Sequence, residues 1–238
     1  MSAPFQFKQF VVEQDRCAMK IGTDGVALGA WIDLTYEPQN ILDVGTGTGV
    51  ISLILAQRFG ASEIEAIEID EDAYEQAISN FENSPWGDRL YAYHASFQEF
   101  FQEVTDEKYD LIVSNPPFFF PTHKSKDKAR NQARFEDALP FKHLFYGASK
   151  LLDEEGVFAV IIPYDQEEAV VSIAKEMYLL PSKIIRVKGN ESVLLKRSLI
   201  QFQFKVDKLH EDELVLEKER HVYTEEYMGL VKDFYLKL

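Results

Sequence analysis

Asn115, Pro116, Pro117 and Phe118 follow directly on an apolar run, Tyr109 to Ser114, that reads as a buried strand. Their types suit the methylation of a planar nitrogen. The amino group of adenine or of an amide delocalises its lone pair into a π system and is a poor nucleophile. An asparagine side-chain oxygen and a backbone carbonyl that accept its two hydrogens favour the pyramidal nitrogen on which positive charge develops in the transition state. Proline suits the carbonyl position, because its ring fixes φ and a following proline biases it toward an extended conformation. An aromatic ring at the fourth position offers a face on which a base stacks, worth about 1–3 kcal/mol. Asparagine and proline also end strands in ordinary turns, so these residues need a donor site before they define a reaction.

A candidate donor site lies upstream. Ile41-Leu42-Asp43-Val44-Gly45-Thr46-Gly47-Thr48-Gly49-Val50 is an apolar strand running into a glycine-rich loop that opens a helix. Glycines there permit tight turning and close backbone approach to a ligand. The spacing is Gly-x-Gly-x-Gly after Asp43, not the Gly-x-Gly-x-x-Gly of a dinucleotide site. S-adenosylmethionine has no pyrophosphate for a helix N-terminus to hold; its ammonium and sulfonium favour carboxylates and carbonyls. The next strand ends Ala66-Ile67-Glu68-Ile69-Asp70, roughly twenty residues on, where an acid can accept from a ribose diol. Glu68 is the candidate. Asp70 shares its side by alternation and suits capping of the following helix better. After the third strand, in His94-Ala95-Ser96-Phe97, Ser96 can bond the cofactor's adenine and Phe97 can pack on it or join the core.

The elements that must position these residues alternate between apolar runs and helical patterns, which predicts an α/β fold with a mostly parallel sheet. Strands are expected near Asn40–Val44, Glu63–Ile69, Leu90–His94, Tyr109–Ser114 and Gly156–Ile162, with helices over Val50–Phe59, Ala73–Asn83 and Phe141–Leu152. A helix after Asp165 reaches about Leu180, and Lys183–Lys188 with Arg197–Val206 read as a closing β-hairpin.

The 238 residues, 46% of them hydrophobic, fit one large domain. The N-terminus lacks the apolar stretch of a signal peptide and no run is long enough to span a bilayer, so a cytoplasmic location without membrane contact is expected. Cys17 is the only cysteine, which excludes an internal disulfide and a cysteine metal cage. A net charge of −15 argues against a broad nucleic-acid surface. Two local basic stretches stand out against it: Lys124, Lys126, Lys128, Arg130 and Arg134 just after the Asn-Pro-Pro-Phe turn, and Lys183, Arg186, Lys188, Lys196 and Arg197. Either could be a solvated charged face.

Glycine loop, acidic strand end and Asn-Pro-Pro-Phe, in this order and at these separations, resemble the class I S-adenosylmethionine-dependent methyltransferases, specifically those that methylate amines. Further segments, Phe7-Lys8-Gln9-Phe10, Met19-Lys20-Ile21-Gly22-Thr23-Asp24-Gly25 and Asp233-Phe234-Tyr235-Leu236, are similar to the bacterial tRNA1(Val) adenine-37 N6-methyltransferases. The resemblance implies a seven-stranded Rossmann-like sheet with helices on both faces and an antiparallel last strand. It also implies one domain over residues 1–238: an N-terminal segment to 38 that completes the cofactor site, a core over 39–206 and a C-terminal extension over 207–238. By the same resemblance Gly45, Gly47 and Gly49 shape the methionine pocket with Asp43 in support, Glu68 holds the ribose, and Thr23 and Asp24 complete the site from the N-terminal side, although they also suit a turn with a helix cap. Asn115, Pro116 and Phe118 would serve the target base. Many relatives carry an acid after the third strand, where this chain has Ala95-Ser96, so the adenine contact falls to Ser96 or to backbone.

The implied reaction is a direct methyl transfer from S-adenosylmethionine to an adenine of tRNA that has left its stack, a step that calls for no metal ion. Lys124, Lys126, Lys128, Arg130, Arg134, Lys196 and Arg197 would hold RNA phosphates. A tRNA substrate, no DNA and a monomer are the expected partners and state. Guanine-N2 methylation of ribosomal RNA shares the turn chemistry and stays open. A protein-glutamine methyltransferase would carry a larger N-terminal domain, and a DNA methyltransferase a target-recognition region. A noncatalytic cofactor-binding subunit of an RNA complex would not need an intact Asn-Pro-Pro-Phe, and the glycine spacing disfavours a nicotinamide oxidoreductase.

Overall fold

The computed structural model describes residues 3–104, 107–117 and 141–237. A short antiparallel pair, β1 (Phe5–Gln6) and β2 (Val11–Val12), leads to α1 (Thr23–Trp31). Strands and helices then alternate: β3 (Asn40–Val44), α2 (Val50–Arg58), β4 (Glu63–Glu68), α3 (Glu71–Glu82), β5 (Leu90–His94), α4 (Phe97–Glu103) and β6 (Tyr109–Ser114). After α5 (Phe141–Leu151) come β7 (Leu152–Pro163), a 3₁₀ turn at Tyr164–Gln166, α6 (Glu167–Glu176), β8 (Leu180–Lys188) and β9 (Arg197–Gln203). The chain closes with β10 (His210–Val215), β11 (Glu217–Glu219), β12 (Val222–Tyr223) and α7 (Glu225–Val231).

Eight strands form the main sheet in the order β10-β8-β9-β7-β6-β3-β4-β5. β9 runs antiparallel to both β7 and β8, and the other neighbouring pairs are parallel. The expected strands appear within a few residues and the antiparallel strand is present, but the count is eight rather than seven. The additional strand is β10, beyond residue 206, which extends the sheet by a parallel ladder along β8 with a mostly exposed, polar set of side chains. Only Leu214 of its side chains is buried, while Glu211 and Glu213 pair with Arg186 and Lys188 of β8 at 2.7 and 3.1 Å. A segment so polar carries no apolar alternation for a sequence reading to find.

The central strands read as continuous apolar runs because helices cover both faces. One face packs α1, α2 and α3 against the sheet, with Leu53, Ile54, Ala77 and Phe81 in its core; the other packs α5 and α6, with Phe145, Phe158 and Phe202. α1 and α2 lie close enough that a Cβ at Gly29 would stand 3.0 Å from Ile54. No helix among the described residues is long and apolar enough to cross a membrane.

The N-terminal segment is clasped at two places. Phe7 is fully buried, stacks on Phe10 (4.5 Å) and on Tyr235 (5.8 Å), and Lys8 N–H donates to the Phe234 carbonyl at 2.8 Å. The end motifs singled out in the sequence therefore pack on each other. Further along, the buried Asn80 of α3 accepts from Glu13 N–H (2.9 Å) and donates to the carbonyls of Glu13 (2.9 Å) and Thr48 (2.8 Å), and the buried Gln76 accepts from Arg16 N–H at 3.1 Å. One amide so ties the N-terminal segment to the glycine loop. Asn80→Ala strands these backbone groups and is expected to lower stability by about 2–4 kcal/mol. Urea unfolding and limited proteolysis within residues 13–19 check this; an unchanged midpoint and cleavage pattern would show that the clasp does not hold the segment.

Candidate active site

Parallel register brings the carboxyl ends of the central strands level: Val44 pairs with Ile67 and with Ser114, Glu68 with His94, and Ser114 with Val160. The chain leaves β3 toward β4 and leaves β6 toward β7, so the edge between β3 and β6 is the switch point where open α/β sheets bind ligands. A cavity of about 510 Å³ opens there. That is within the usual range for a small-molecule site.

The glycine loop forms its floor. Gly45, Gly47 and Gly49 all have positive φ (74°, 56° and 81°). Gly47 faces open space, whereas a Cβ at Gly49 would strike Phe81 at 2.5 Å, so the last glycine serves the turn into α2 and the middle one keeps the cavity clear. Asp43 holds the loop from beneath: its Oδ2 accepts from the hydroxyls of Thr46 and Ser52, both at 2.7 Å. The carboxyl is fully buried and its Oδ1 has no hydrogen-bond partner among the described residues. Burial pushes its pKa up to about 6 against the pull of the two hydroxyl bonds, with the charge of Glu68 adding to the rise.

Glu68 sits at the end of β4 and joins the glycine loop to the turn that leads into α3. Its Oε2 accepts from Gly47 N–H (2.8 Å), and Oε1 accepts from the N–H groups of Ile69 (2.9 Å) and Asp70 (3.0 Å). A carboxylate has about four acceptor positions, which leaves capacity for a ligand hydroxyl. Asp70 caps α3 by accepting from Ala73 N–H at 2.9 Å. Ser96 and Phe97 both line the cavity. The Ser96 hydroxyl, however, donates to Glu99 (2.7 Å) and accepts from Glu99 N–H (3.2 Å) in the capping box that starts α4. Gln98 beside it is exposed on the same wall, and its amide makes no hydrogen bond among the described residues.

Asn115 and Pro116 stand on the opposite wall. Ser114 fixes them: its buried hydroxyl donates to the Val44 carbonyl at 2.8 Å across the switch point. Thr23 and Asp24 are not among the cavity-lining residues. They open α1, whose first turn abuts the turn instead, since a Cβ at Gly25 would lie 3.8 Å from Asn115 Nδ2. Asp24 accepts from Arg197 Nε at 2.7 Å. The N-terminal wall of the cavity is Cys17, Ala18 and Met19, held by the α3 amides. Burial, with Glu68 adding to it, lifts the Cys17 thiol to about 11. His143 of α5 also reaches the cavity. Sequence reading missed these wall residues, for which the buried polar Gln76 and Asn80 on an otherwise apolar helix face were the available signal. Phe118, Lys124, Lys126, Lys128, Arg130 and Arg134 lie outside the described residues.

The Methyltransferase small domain family matches residues 31–169. A predicted O-methyltransferase from Agrobacterium tumefaciens, 16% identical, shares the fold with a TM-score of 0.69 over 89% of this chain and 96% of that one. Fold and family together make the chain an S-adenosylmethionine-dependent methyltransferase. Among its relatives, a protein from Christiangramia forsetii named tRNA1(Val) (adenine(37)-N6)-methyltransferase is 58% identical over 99% of this chain and 98% of its own length. One of the same name from Flavobacterium johnsoniae is 54% identical over 98% of this chain and all of its own. The chain belongs to this family of tRNA1(Val) (adenine(37)-N6)-methyltransferases.

The cavity fits that cofactor. Its volume, the open space above Gly47, the spare acceptor capacity of Glu68 and the apolar walls at Ile67, Ala95 and Phe97 suit a ligand with a flat base, a ribose and a zwitterionic tail.

The buried Asp43 makes a measurable demand on stability. Its value of about 6 in the folded protein exceeds the ordinary 3.8, so folding favours the protonated form. That contribution is fully present below about pH 4 and is lost as pH rises through 6, on the order of 2–3 kcal/mol. Asp43→Asn removes the titration. Urea unfolding from pH 4 to 7.5 should show the variant gaining on the wild type as pH rises, and a constant difference would contradict the buried-charge account.

Proposed function

We propose that the chain methylates the N6 amine of adenine 37 in the anticodon loop of a valine tRNA. The observation that carries this reading is the Asn115-Pro116 turn, locked to the glycine-loop strand by Ser114 and facing the same cavity as Glu68. The names of the relatives support the substrate. RNA rather than DNA, a cytoplasmic setting and a monomer complete the proposal, and the net charge of −15 fits a local docking site better than a broad duplex surface.

Bound S-adenosylmethionine supplies an electrophilic methyl group. The Asn115 side-chain oxygen and the Pro116 carbonyl accept the two amino hydrogens and draw N6 toward a pyramidal geometry, while Phe118 stacks the extruded base. Glu68 accepts from the cofactor ribose, the backbone around Gly47 lets the methionine moiety approach, and Phe97 and Gln98 meet its adenine. Because Ser96 is committed to its helix cap, Gln98 takes the polar contact that Ser96 was expected to make. Thr23 and Asp24 act on Asn115 through the first turn of α1. Lys124, Lys126, Lys128, Arg130 and Arg134 neutralise RNA phosphates. A base already in a loop is extruded at the least cost, which favours an anticodon-loop target.

Incubation with labelled S-adenosylmethionine and unmodified tRNA, followed by nucleoside mass spectrometry, should give N6-methyladenosine at position 37. Asn115→Ala should reduce kcat by at least about 10²- to 10³-fold and leave cofactor affinity within twofold by calorimetry. Wild-type turnover in that variant would refute the role of the turn.

A further inference from the structure

The sheet does not end level on the β7 side. Ser114 pairs with Val160, yet β7 continues to Pro163 opposite Arg197 of β9. Three further residues raise this edge about 10 Å above the level of Ser114, the residue that leads into the Asn115 turn. Tyr164 N–H donates to the Lys196 carbonyl (3.1 Å) and Lys196 N–H to the Val187 carbonyl (2.9 Å), so the top of this wall is built from backbone. The β8–β9 turn beside it is ordered by Asn190, which accepts from Ser192 N–H at 3.0 Å and its hydroxyl at 2.6 Å.

Its chemistry is unusual for a chain with this charge. Tyr164 is 39% exposed and Leu194, at the turn, 87%. Lys183, Arg186, Lys188 and Arg197 are each committed to a carboxylate: Asp33, Glu167 with Glu211, Glu191 with Glu213, and Asp24. Lys196 is exposed and makes no ion pair among the described residues. Arg197, through Asp24, fastens the wall to the helix turn that abuts Asn115.

We propose that this raised edge is a docking wall for the single-stranded RNA flanking the target base: Tyr164 stacks a neighbouring base, Lys196 holds a phosphate and Leu194 covers the adjoining sugar. The inference rests on the RNA substrate proposed above. An exposed aromatic ring beside a lysine that makes no ion pair among the described residues is the pairing by which single strands are held without sequence readout. Its continuity with the catalytic turn selects the nucleotides next to the target, and Arg197 is a buttress of the wall rather than a phosphate contact.

The test uses the full chain with saturating S-adenosylmethionine and unmodified tRNA. Tyr164→Ala should weaken tRNA affinity about tenfold. Lys196→Gln should weaken it a few-fold and reduce the slope of log affinity against log salt by about 0.7. Cofactor affinity should be unchanged in both, and Tyr178→Ala, 81% exposed and elsewhere, should match the wild type. Unaltered tRNA affinity and salt slope in the first two variants would overturn the wall, as would a dimer that Leu194→Ser dissociates, since a second copy would then occupy it. Methylation of a different RNA with the same losses would support the wall and overturn the valine-tRNA assignment instead.

Discussion

The hydroxyl of Ser114 donates to the carbonyl of Val44 at the point where the chain turns one way along the sheet from β3 and the other way from β6. It is buried, so the bond is not in competition with water, and it fixes the spacing between the glycine loop and the Asn-Pro-Pro turn. A direct displacement depends on that spacing: reacting atoms must be held near 3–3.5 Å and in line before the barrier falls. The parallel register brings both strand ends to the same height, and the hydroxyl removes the remaining freedom.

Around this fixed pair the structure places its polar groups at the cost of stability. Asp43 carries a buried carboxyl oxygen without a partner among the described residues, and Glu68 gathers three backbone N–H groups. Both hold a loop whose three glycines lie at positive φ. Such a loop is costly to order and is held from two sides, from beneath by Asp43 and from β4 by Glu68. This is the arrangement expected where preorganisation rather than stability is served.

Much of this was legible in the sequence because central parallel strands are apolar throughout and the glycine spacing is chemical in origin. The boundaries of β3, β5 and β6 follow directly from their apolar runs. What escaped was held together by polar groups. β10 joins the sheet by a parallel ladder along β8 with an exposed, acidic face; its Glu211 and Glu213 neutralise Arg186 and Lys188, and Asp33 neutralises Lys183, in a stretch that reads as basic in one dimension. Ser96 looked available for a ligand until Glu99, three residues on, claimed it as a cap. The wall at Cys17–Met19 depends on amides of α3 sixty residues away. In each case the decisive partner is remote or folded into a turn, and spacing along the chain does not reveal it.

The clasp between Phe7 and Tyr235 has a bearing on synthesis. Segment 7–13 leads into the cavity wall at Cys17–Met19, yet the backbone it docks on, at Phe234, is made more than two hundred residues later. Contacts of such high sequence separation carry a large loop-closure cost. A nascent chain that has made α3 can already seat residues 13 and 16 on Asn80 and Gln76, while Phe7 and Lys8 meet their partners only once residues 234 and 235 have emerged. The order of synthesis thereby makes the Phe7 end of the segment the last part that can dock.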